Sequence, residues 1–221
     1  MKLLLTSGGV SNPSIEHSLA SLLGKPIAES SALCIPTAGH ALRGGPRLVW
    51  QLLQGQDTTP LVELGWKSMG VLELTALPTL GRDRWLPAVQ GVDALLVAGG
   101  DPLYLHYWMR ESGLADVLAT LHDTVYVGVS AGSMVMAPRI GEEFVVWKQQ
   151  SGTDETLGIV EFALFPHLDH PMLPTNTMAH AERWAANLSI PGYAIDDHTA
   201  VQWVDGMVDV ISEGHWRRFD P

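Results

Sequence analysis

A serine stands between two glycines in residues 128–132, which read G-V-S-A-G. The β-branched residues before it, from Val125, predict a strand, and the apolar residues after it, from Met134, predict a helix. This pattern is typical of a nucleophile elbow, a sharp turn that exposes the serine hydroxyl and points the first helix amides at it. The flanking glycines are needed because strand and helix approach too closely for side chains. Ser130 is therefore the candidate nucleophile.

A serine that acts at neutral pH needs a base, and the base needs an acceptor that orients it. Of the nine histidines, His167 directly follows a predicted strand, so we expect it at the same edge of the sheet as Ser130. Asp196 and Asp197 end a later predicted strand and are the candidate acids. The order Ser130, Asp197, His215 would also suit an α/β-hydrolase, which keeps an esterase as an alternative.

The oxyanion of an acyl-transfer reaction needs two backbone N–H groups that point at one spot. The amide of Ala131, just after the serine, is the usual first donor. The second donor is expected from the glycine pair at the end of a neighbouring predicted strand, at Gly100.

A metal site is the alternative reading of residues 167–170, which hold two histidines and an aspartate. Prolines flank the segment, and the chain lacks both a helical H-E-x-x-H pattern and the cysteines that would complete a tetrahedral site. We therefore expect neither a metal nor an organic cofactor.

The composition limits the class of protein. With 221 residues, 46% of them hydrophobic, the chain is expected to form a single domain, residues 1–221. A net charge of −11 without a basic cluster argues against nucleic acid or an anionic membrane as partner and favours a small molecule or peptide. Cys34 is expected to be buried and inert, and the short apolar start is no signal peptide, so we expect a cytoplasmic protein.

Short apolar runs that end in glycine or polar turns predict buried parallel strands, and amphipathic segments between them predict helices. Their alternation predicts an α/β fold, a doubly wound, mainly parallel sheet flanked by helices, with a hairpin-rich C-terminal part. The predicted strands are residues 3–6, 32–35, 71–74, 94–98, 125–129, 144–147, 158–165, 193–195, 200–204 and 207–211, and the predicted helices are 14–23, 46–53, 102–109, 114–122 and 177–188.

Taken in order, these motifs resemble the peptidase E, or aspartyl dipeptidase, family of serine peptidases. The resemblance covers nearly the whole chain and rests on I-P-T-A-G at residues 35–39, G-G-D at 99–101, the elbow at 128–132 and F-P-H at 165–167. It implies a fold similar to class I glutamine amidotransferases, a flavodoxin-like arrangement. It further implies a homodimer that hydrolyses short peptides as a dipeptidase, through an acyl-enzyme on Ser130. His167 would be the base, and the carboxylate of Asp197 would orient it.

The sequence departs from the family where the substrate side chain would bind. Members that cleave after an N-terminal aspartate carry an arginine early in the helix after the histidine loop, and a gapless count places Asn176 there. An asparagine cannot supply that charge, so the preferred side chain stays open. The candidate substrate-binding residues are Gly99, Asp101, Asn176 and Arg183, and Arg43, Arg47 or Arg139 are the arginines that would reach in from loops.

Two further alternatives share this scaffold. A cyanophycinase-like hydrolase, which cleaves an aspartate-arginine polymer, has the same elbow. A noncatalytic binding protein would keep the fold without using the serine.

Overall fold

A computed structural model describes residues 1–147 and 153–221. The strands are β1 (Lys2–Thr6), β2 (Ser31–Ile35), β3 (Ser68–Val71), β4 (Ala94–Val97), β5 (Val125–Val129), β6 (Ala163–Phe165), β7 (Gly192–Ile195), β8 (Thr199–Val204), β9 (Met207–Ser212) and β10 (Trp216–Phe219). The helices are α1 (Pro13–Leu23), α2 (Gly45–Leu53), α3 (Arg82–Gln90), α4 (Pro102–Glu111), α5 (Leu114–Leu118), α6 (Ala131–Met134) and α7 (Met178–Ala186). Short 3₁₀ segments lie at Ile27–Glu29, Thr37–Ala41, Leu74–Thr79 and Glu142–Phe144.

The main sheet has the strand order β3-β2-β4-β5-β1-β8-β9. The strands from β3 to β1 run parallel, and β8 and β9 extend the sheet as an antiparallel hairpin. A second sheet of order β10-β7-β6 lies beside it in the C-terminal half. The expected α/β class with a mainly parallel sheet is confirmed, and so is the C-terminal hairpin.

Both faces of the central strands are buried, which explains why the strands are continuous apolar runs. Leu3 and Leu5 of β1 pack into the core on one face, and Leu4 packs into the core on the other. Leu95 and Leu96 of β4 divide in the same way. Within residues 1–147 and 153–221, no helix combines the length and apolarity that a membrane span needs.

Two predicted strands are wrong or too long because their backbone amides donate hydrogen bonds to residues outside any sheet. Residues 144–147 form no strand: the segment begins in a 3₁₀ turn, and the amide of Trp147 donates to Asp101 Oδ2 at 3.0 Å. Of the strand predicted at 158–165, only Ala163–Phe165 is in a sheet. The amides of Gly158 and Ile159 instead donate to carbonyls of Ala137 and Met136, just beyond α6.

Other predicted boundaries shift, and two elements are missed. The strand predicted at 71–74 lies at Ser68–Val71, and the helix predicted at 114–122 ends at Leu118, where i to i−3 bonds continue. Helix α3 was not predicted, since it contains Pro87 and charged residues. Strand β10 was missed because its side chains are largely exposed and its partner β7 is separated from it in sequence by the β8–β9 hairpin.

The carboxyl ends of β1, β4 and β5 meet at one edge of the main sheet. Thr6 pairs in register with Val129, and Val97 pairs with Gly128. The loops that follow these three strands therefore converge where Ser130 begins its turn. This edge is where ligands bind in open α/β sheets.

Close packing of α6 against β4 predicts the cost of a side chain at Gly132. A Cβ there would lie 2.1 Å from the carbonyl oxygen of Val97, in backbone that cannot rotate away. We expect Gly132→Ala to lower the free energy of unfolding by about 3 kcal/mol or more. Gly24→Ala is the control: its site has open space and a φ of 70°, so it should cost only about 1–2 kcal/mol. Equal losses in urea denaturation of the two variants would contradict this packing account.

Candidate active site

Ser130 has a backbone conformation that residues other than glycine rarely adopt. Its φ is 49° and its ψ is −110°, a combination that costs on the order of 1–3 kcal/mol and persists only when its surroundings impose it. The amide of Ser130 donates to the carbonyl of Thr6 at 3.0 Å, and Ser133 Oγ donates to the same carbonyl at 2.7 Å. The end of β1 therefore holds the start of α6 in place.

Two more hydrogen bonds close the elbow from within. Tyr126, fully buried in β5, donates its hydroxyl to the carbonyl of Gly132 at 2.6 Å. Thr6 donates its own hydroxyl to the carbonyl of Gly128 at 2.8 Å. A Cβ on Gly128 would lie 2.6 Å from that Gly132 carbonyl, which confirms that glycine is required on steric grounds. The turn is thus clamped on both sides of Ser130.

His167 lies against the serine, directly after β6. Its Nε2 is 2.9 Å from Ser130 Oγ, and its Nδ1 is 2.7 Å from Asp197 Oδ1. A carboxylate only accepts, so Nδ1 carries the ring proton and Nε2 is free to accept from the serine hydroxyl. The three side chains form a continuous hydrogen-bonded row.

The loop that carries His167 is strained and firmly bound. His167 itself has a φ of 58°. Its amide donates to Ser7 Oγ at 2.7 Å, and the amide of Leu168 donates to the carbonyl of Ile195 at the end of β7. Asn176 donates its Nδ2 to the carbonyl of Pro166 at 3.2 Å. The ring is therefore positioned by hydrogen bonds of its loop to the residue after β1 in one sheet and to the end of β7 in the other.

The Asp197 carboxylate is half-buried and well supplied with donors. Burial alone would raise its pKa, but hydrogen bonds from His167 and Ser7, with the nearby His167 and His170 rings, outweigh burial and hold the pKa below the usual aspartate value. Ser7 Oγ donates to Asp197 Oδ1 at 2.6 Å. His170 accepts the Met172 amide on Nδ1, which leaves its protonated Nε2 3.5 Å from Asp197 Oδ2. Asp197 is therefore ionised when it faces the imidazole.

Asp196 is the other candidate acid, and its carboxylate is bound by groups other than His167. Its Oδ1 accepts from Thr199 Oγ1 and the His198 amide, and its Oδ2 accepts from the His215 amide at 2.8 Å. The His215 ring lies between Asp196 and Asp169, 3.0 Å from a carboxylate oxygen of each. The structure brings together Ser130, His167 and Asp197. The ring of His215 instead contacts the carboxylates of Asp196 and Asp169.

Three backbone amides beside Ser130 have no acceptor within the described part of the chain. They are those of Gly99, Gly100 and Ala131. Gly99 is so close that a Cβ would lie 3.4 Å from Ser130 Cβ, and a Cβ on Gly100 would collide with the backbone of Ala38 at 2.2 Å. Backbone N–H groups free of partners next to a serine hydroxyl are the donors that an oxyanion requires.

A cavity of about 400 Å³ opens beside this row. Ser130 and His167 line it together with Gly99 and Gly100, and apolar side chains from the segments after β2 form much of the remainder. Its volume is at the lower end of the range for small-molecule sites, roughly 300–1,000 Å³. The nucleophile therefore faces a pocket large enough for a short peptide.

The other sequence candidates have structural contacts outside this cavity. Asp101 caps α4 by accepting the amides of Leu103 and Tyr104. Asn176 holds the histidine loop, as described above. Arg183 donates to the carbonyl of Ala179 on the exposed face of α7. None of the three predicted substrate-binding side chains lines the cavity, whereas Gly99 does.

Thr6 and Ser7 are the residues that sequence reasoning missed. Both are buried, and both hydrogen-bond to the elbow or to the His167–Asp197 pair. The available signal was their position: polar residues at the end of β1, before Gly8-Gly9, at the edge where the site was expected. Small hydroxyl side chains there do not reveal their partners, which are more than a hundred residues away in sequence.

The same described residues hold no cluster of three or more histidine, cysteine, aspartate or glutamate side chains arranged for a metal ion. Cys34 is buried in β2, as expected. Burial, with a smaller effect of the negative Glu73, raises the pKa of the Cys34 thiol to about 12, so it stays protonated.

Comparison with known proteins bears on the family and the fold of this chain. The model of peptidase family S51 matches residues 3–211. The chain is similar to a crystal structure described as a peptidase E protein from Listeria monocytogenes EGD-e, with a TM-score of 0.66 and 17% identity over 96% of this chain and 98% of that one. It is also similar to a peptidase from an acI-B1 actinobacterium, with a TM-score of 0.63 and 20% identity over 100% of this chain and 87% of that one. These similarities confirm the class I glutamine amidotransferase-like fold. Comparison with curated proteins finds no match.

The Ser7 hydroxyl is expected to tune the Asp197–His167 pair. In Ser7→Ala the carboxylate loses one donor, so the pKa of Asp197 should rise towards the usual aspartate value, measured by ¹³C NMR of the carboxyl group. Because the ring loses part of its support, labelling of Ser130 by a fluorophosphonate should slow by about fivefold to tenfold.

Ser11→Ala is the matched control for that measurement. Ser11 Oγ donates to the backbone carbonyl of Asp197, not to its carboxylate. Its removal should leave the pKa of Asp197 unchanged. An equal pKa shift in both variants would mean that Ser7 acts only through local folding.

Proposed function

The chain belongs to peptidase family S51, the family of peptidase E, and from this membership we propose that it is a serine peptidase that hydrolyses short peptides through Ser130, His167 and Asp197. The observation that carries the proposal is the row of hydrogen bonds from Ser130 Oγ to His167 and from His167 to Asp197, at 2.9 and 2.7 Å. Membership makes the chain a peptidase, a hydrolase. The catalytic residues and the dipeptidase activity are our proposal.

In the proposed reaction, Ser130 Oγ attacks the scissile carbonyl carbon while His167 Nε2 takes the hydroxyl proton. Asp197 stabilises the imidazolium that forms and keeps Nδ1 protonated. The negative oxygen of the tetrahedral intermediate accepts from the amides of Gly100 and Ala131. His167 then gives its proton to the leaving amine, which departs and leaves an ester on Ser130.

The second half of the cycle uses the same groups. A water molecule that takes the place of the amine gives a proton to His167 Nε2 and attacks the ester carbon. The second intermediate collapses to release the carboxylate product, and His167 returns the proton to Ser130 Oγ. The volume of the cavity supports substrates of only a few residues.

The esterase alternative requires His215 as the base, and this histidine has other partners. Its ring contacts Asp196 and Asp169, and among the described residues it contacts neither Ser130 nor Asp197. No observation favours that assignment. The cyanophycinase-like and noncatalytic alternatives are distinguished by assay.

Hydrolysis should depend on the hydroxyl of Ser130. We expect Ser130→Ala to lower kcat on a panel of Asp-X, Glu-X and neutral-X dipeptides by about 10⁴-fold or more, because the nucleophile is lost. Ser21→Ala, an exposed serine on α1, is the control and should keep full activity. Cleavage that survives in folded Ser130→Ala would rule out this mechanism. Cleavage of β-aspartyl-arginine in preference to all the dipeptides would favour the cyanophycinase-like alternative.

Separate substitution of two histidines tests which one is the base. His167→Gln should lose about 10³-fold or more of kcat, since it leaves Ser130 without a proton acceptor. His215→Gln, matched in chemistry, should change kcat by less than about threefold, since its exposed contacts stabilise only the loops around it. Both are measured on the same dipeptide at several pH values. Loss of activity in His215→Gln alone would establish the α/β-hydrolase order instead.

A further inference from the structure

The cavity beside Ser130 has two chemically different sides. In the main sheet, β1 lies on one side of β5 and β4 lies on the other. His167 approaches from the β1 side, because its amide binds Ser7 at the end of that strand. The free amides of Gly99 and Gly100 follow β4, on the opposite side. The sheet order therefore separates His167, the proton carrier, from the amides of Gly99 and Gly100.

This separation orients a bound peptide. His167 must protonate the leaving amine, so the amine lies on the β1 side of Ser130. The acyl residue, which becomes esterified to the serine, extends to the other side, past Gly99 towards β2. Its side chain enters the part of the cavity formed by the segments that follow β2.

Those segments present an apolar wall. It consists of Leu42 and Leu48, which are each 42% exposed, and of the buried Val49, Leu52 and Leu61. Val49 and Leu52 come from the inner face of α2, and the two exposed leucines leave apolar surface open beside the nucleophile. Apolar surface of this kind favours an apolar side chain, because its burial removes both surfaces from water.

The charged residues at the cavity also favour a neutral substrate side chain. Among the described residues that line it, none is an arginine or lysine, and the one carboxylate is that of Asp57. Arg139, one of the arginines considered from sequence, is bound through two nitrogens to Asp154 on another face. Arg43 and Arg47 lie exposed on the α2 segment and do not line the cavity. A substrate carboxylate would meet no fixed cation there and would be repelled by Asp57.

We propose that this cavity binds the side chain of the acyl residue and that the chain cleaves after neutral apolar residues such as leucine, methionine or phenylalanine, not after aspartate. The proposal rests on the serine peptidase function proposed above and specifies its substrate class. It differs from cleavage after an N-terminal aspartate, for which family members carry an arginine at the position where this chain has Asn176.

The direct test is a set of dipeptides that differ only in the acyl residue. We expect kcat/KM for Leu-Ala and Phe-Ala to exceed that for Asp-Ala and Lys-Ala by about 100-fold. Protection of Ser130 from fluorophosphonate labelling by the boronic acid analogues of leucine and aspartate ranks the same side chains without turnover, and the leucine analogue should protect better. A preference for the aspartate or lysine compound in either measurement would overturn the proposal.

A charge placed on the wall should weaken this preference. Leu48→Lys puts a cation in the cavity at an exposed position that tolerates it, so the Leu-Ala to Asp-Ala ratio of kcat/KM should fall by about tenfold or more. Leu80→Lys is the matched control: Leu80 is 40% exposed and lies outside the cavity lining. The control should leave the ratio within about twofold. An unchanged ratio in Leu48→Lys, or an equal change in both variants, would place the side chain elsewhere.

The outcomes separate this proposal from the function on which it rests. If Asp-Ala is the better substrate and its cleavage needs Ser130, the apolar subsite is wrong and the serine peptidase remains. If Arg43→Ala or Arg47→Ala abolishes that cleavage, these exposed arginines bind the substrate and the wall does not. If the folded protein cleaves no peptide and Ser130 is not labelled, the proposed function fails and the subsite fails with it.

Discussion

The backbone of Ser130, held at a positive φ by the carbonyl of Thr6, is the constraint on which the rest of the site depends. A serine in this conformation is unfavourable on its own. It persists because β1 pairs beside β5 and places one carbonyl where both Ser130 and Ser133 donate to it. The central pair of parallel strands therefore stabilises the strained turn, and the turn exposes the hydroxyl.

The same strand also positions the base. Ser7, one residue past β1, accepts the amide of His167 and donates to the carboxylate of Asp197. One short polar sequence thus contacts the elbow through Thr6 and the histidine–aspartate pair through Ser7. Three segments that are far apart in sequence therefore contact the end of β1, which explains how Ser130, His167 and Asp197 reach hydrogen-bond distance of one another.

The fold and the specificity of this chain have separate physical origins. The sheet edge, the elbow and the histidine loop are built from backbone contacts that the family scaffold supplies, and such scaffolds accept different side chains around one site. The wall of the cavity comes from α2 and the segments on either side of it, none of which supplies Ser130, His167 or Asp197. Leucine and valine occupy this wall while the molecule as a whole carries a net charge of −11. The surface charge therefore says little about the side chain that the cavity accepts.

The amino-acid pattern alone was sufficient for the class of fold and for the identity of Ser130 and His167 as candidates. Apolar period, glycine spacing and the positions of strand ends are local properties, and local properties are readable along the chain. Strand 144–147 and most of 158–165 were mispredicted because distant carbonyls and Asp101 compete for their amides. The choice of Asp197 over Asp196, the part played by Ser7 and the apolar wall from α2 all depend on which way a side chain points across contacts of long sequence separation. Contacts among the end of β1, the His167 loop and the end of β7 set that direction for Ser7 and Asp197, and the packing of α2 beside the loop after β2 sets it for the wall, so no single segment of the sequence encodes it.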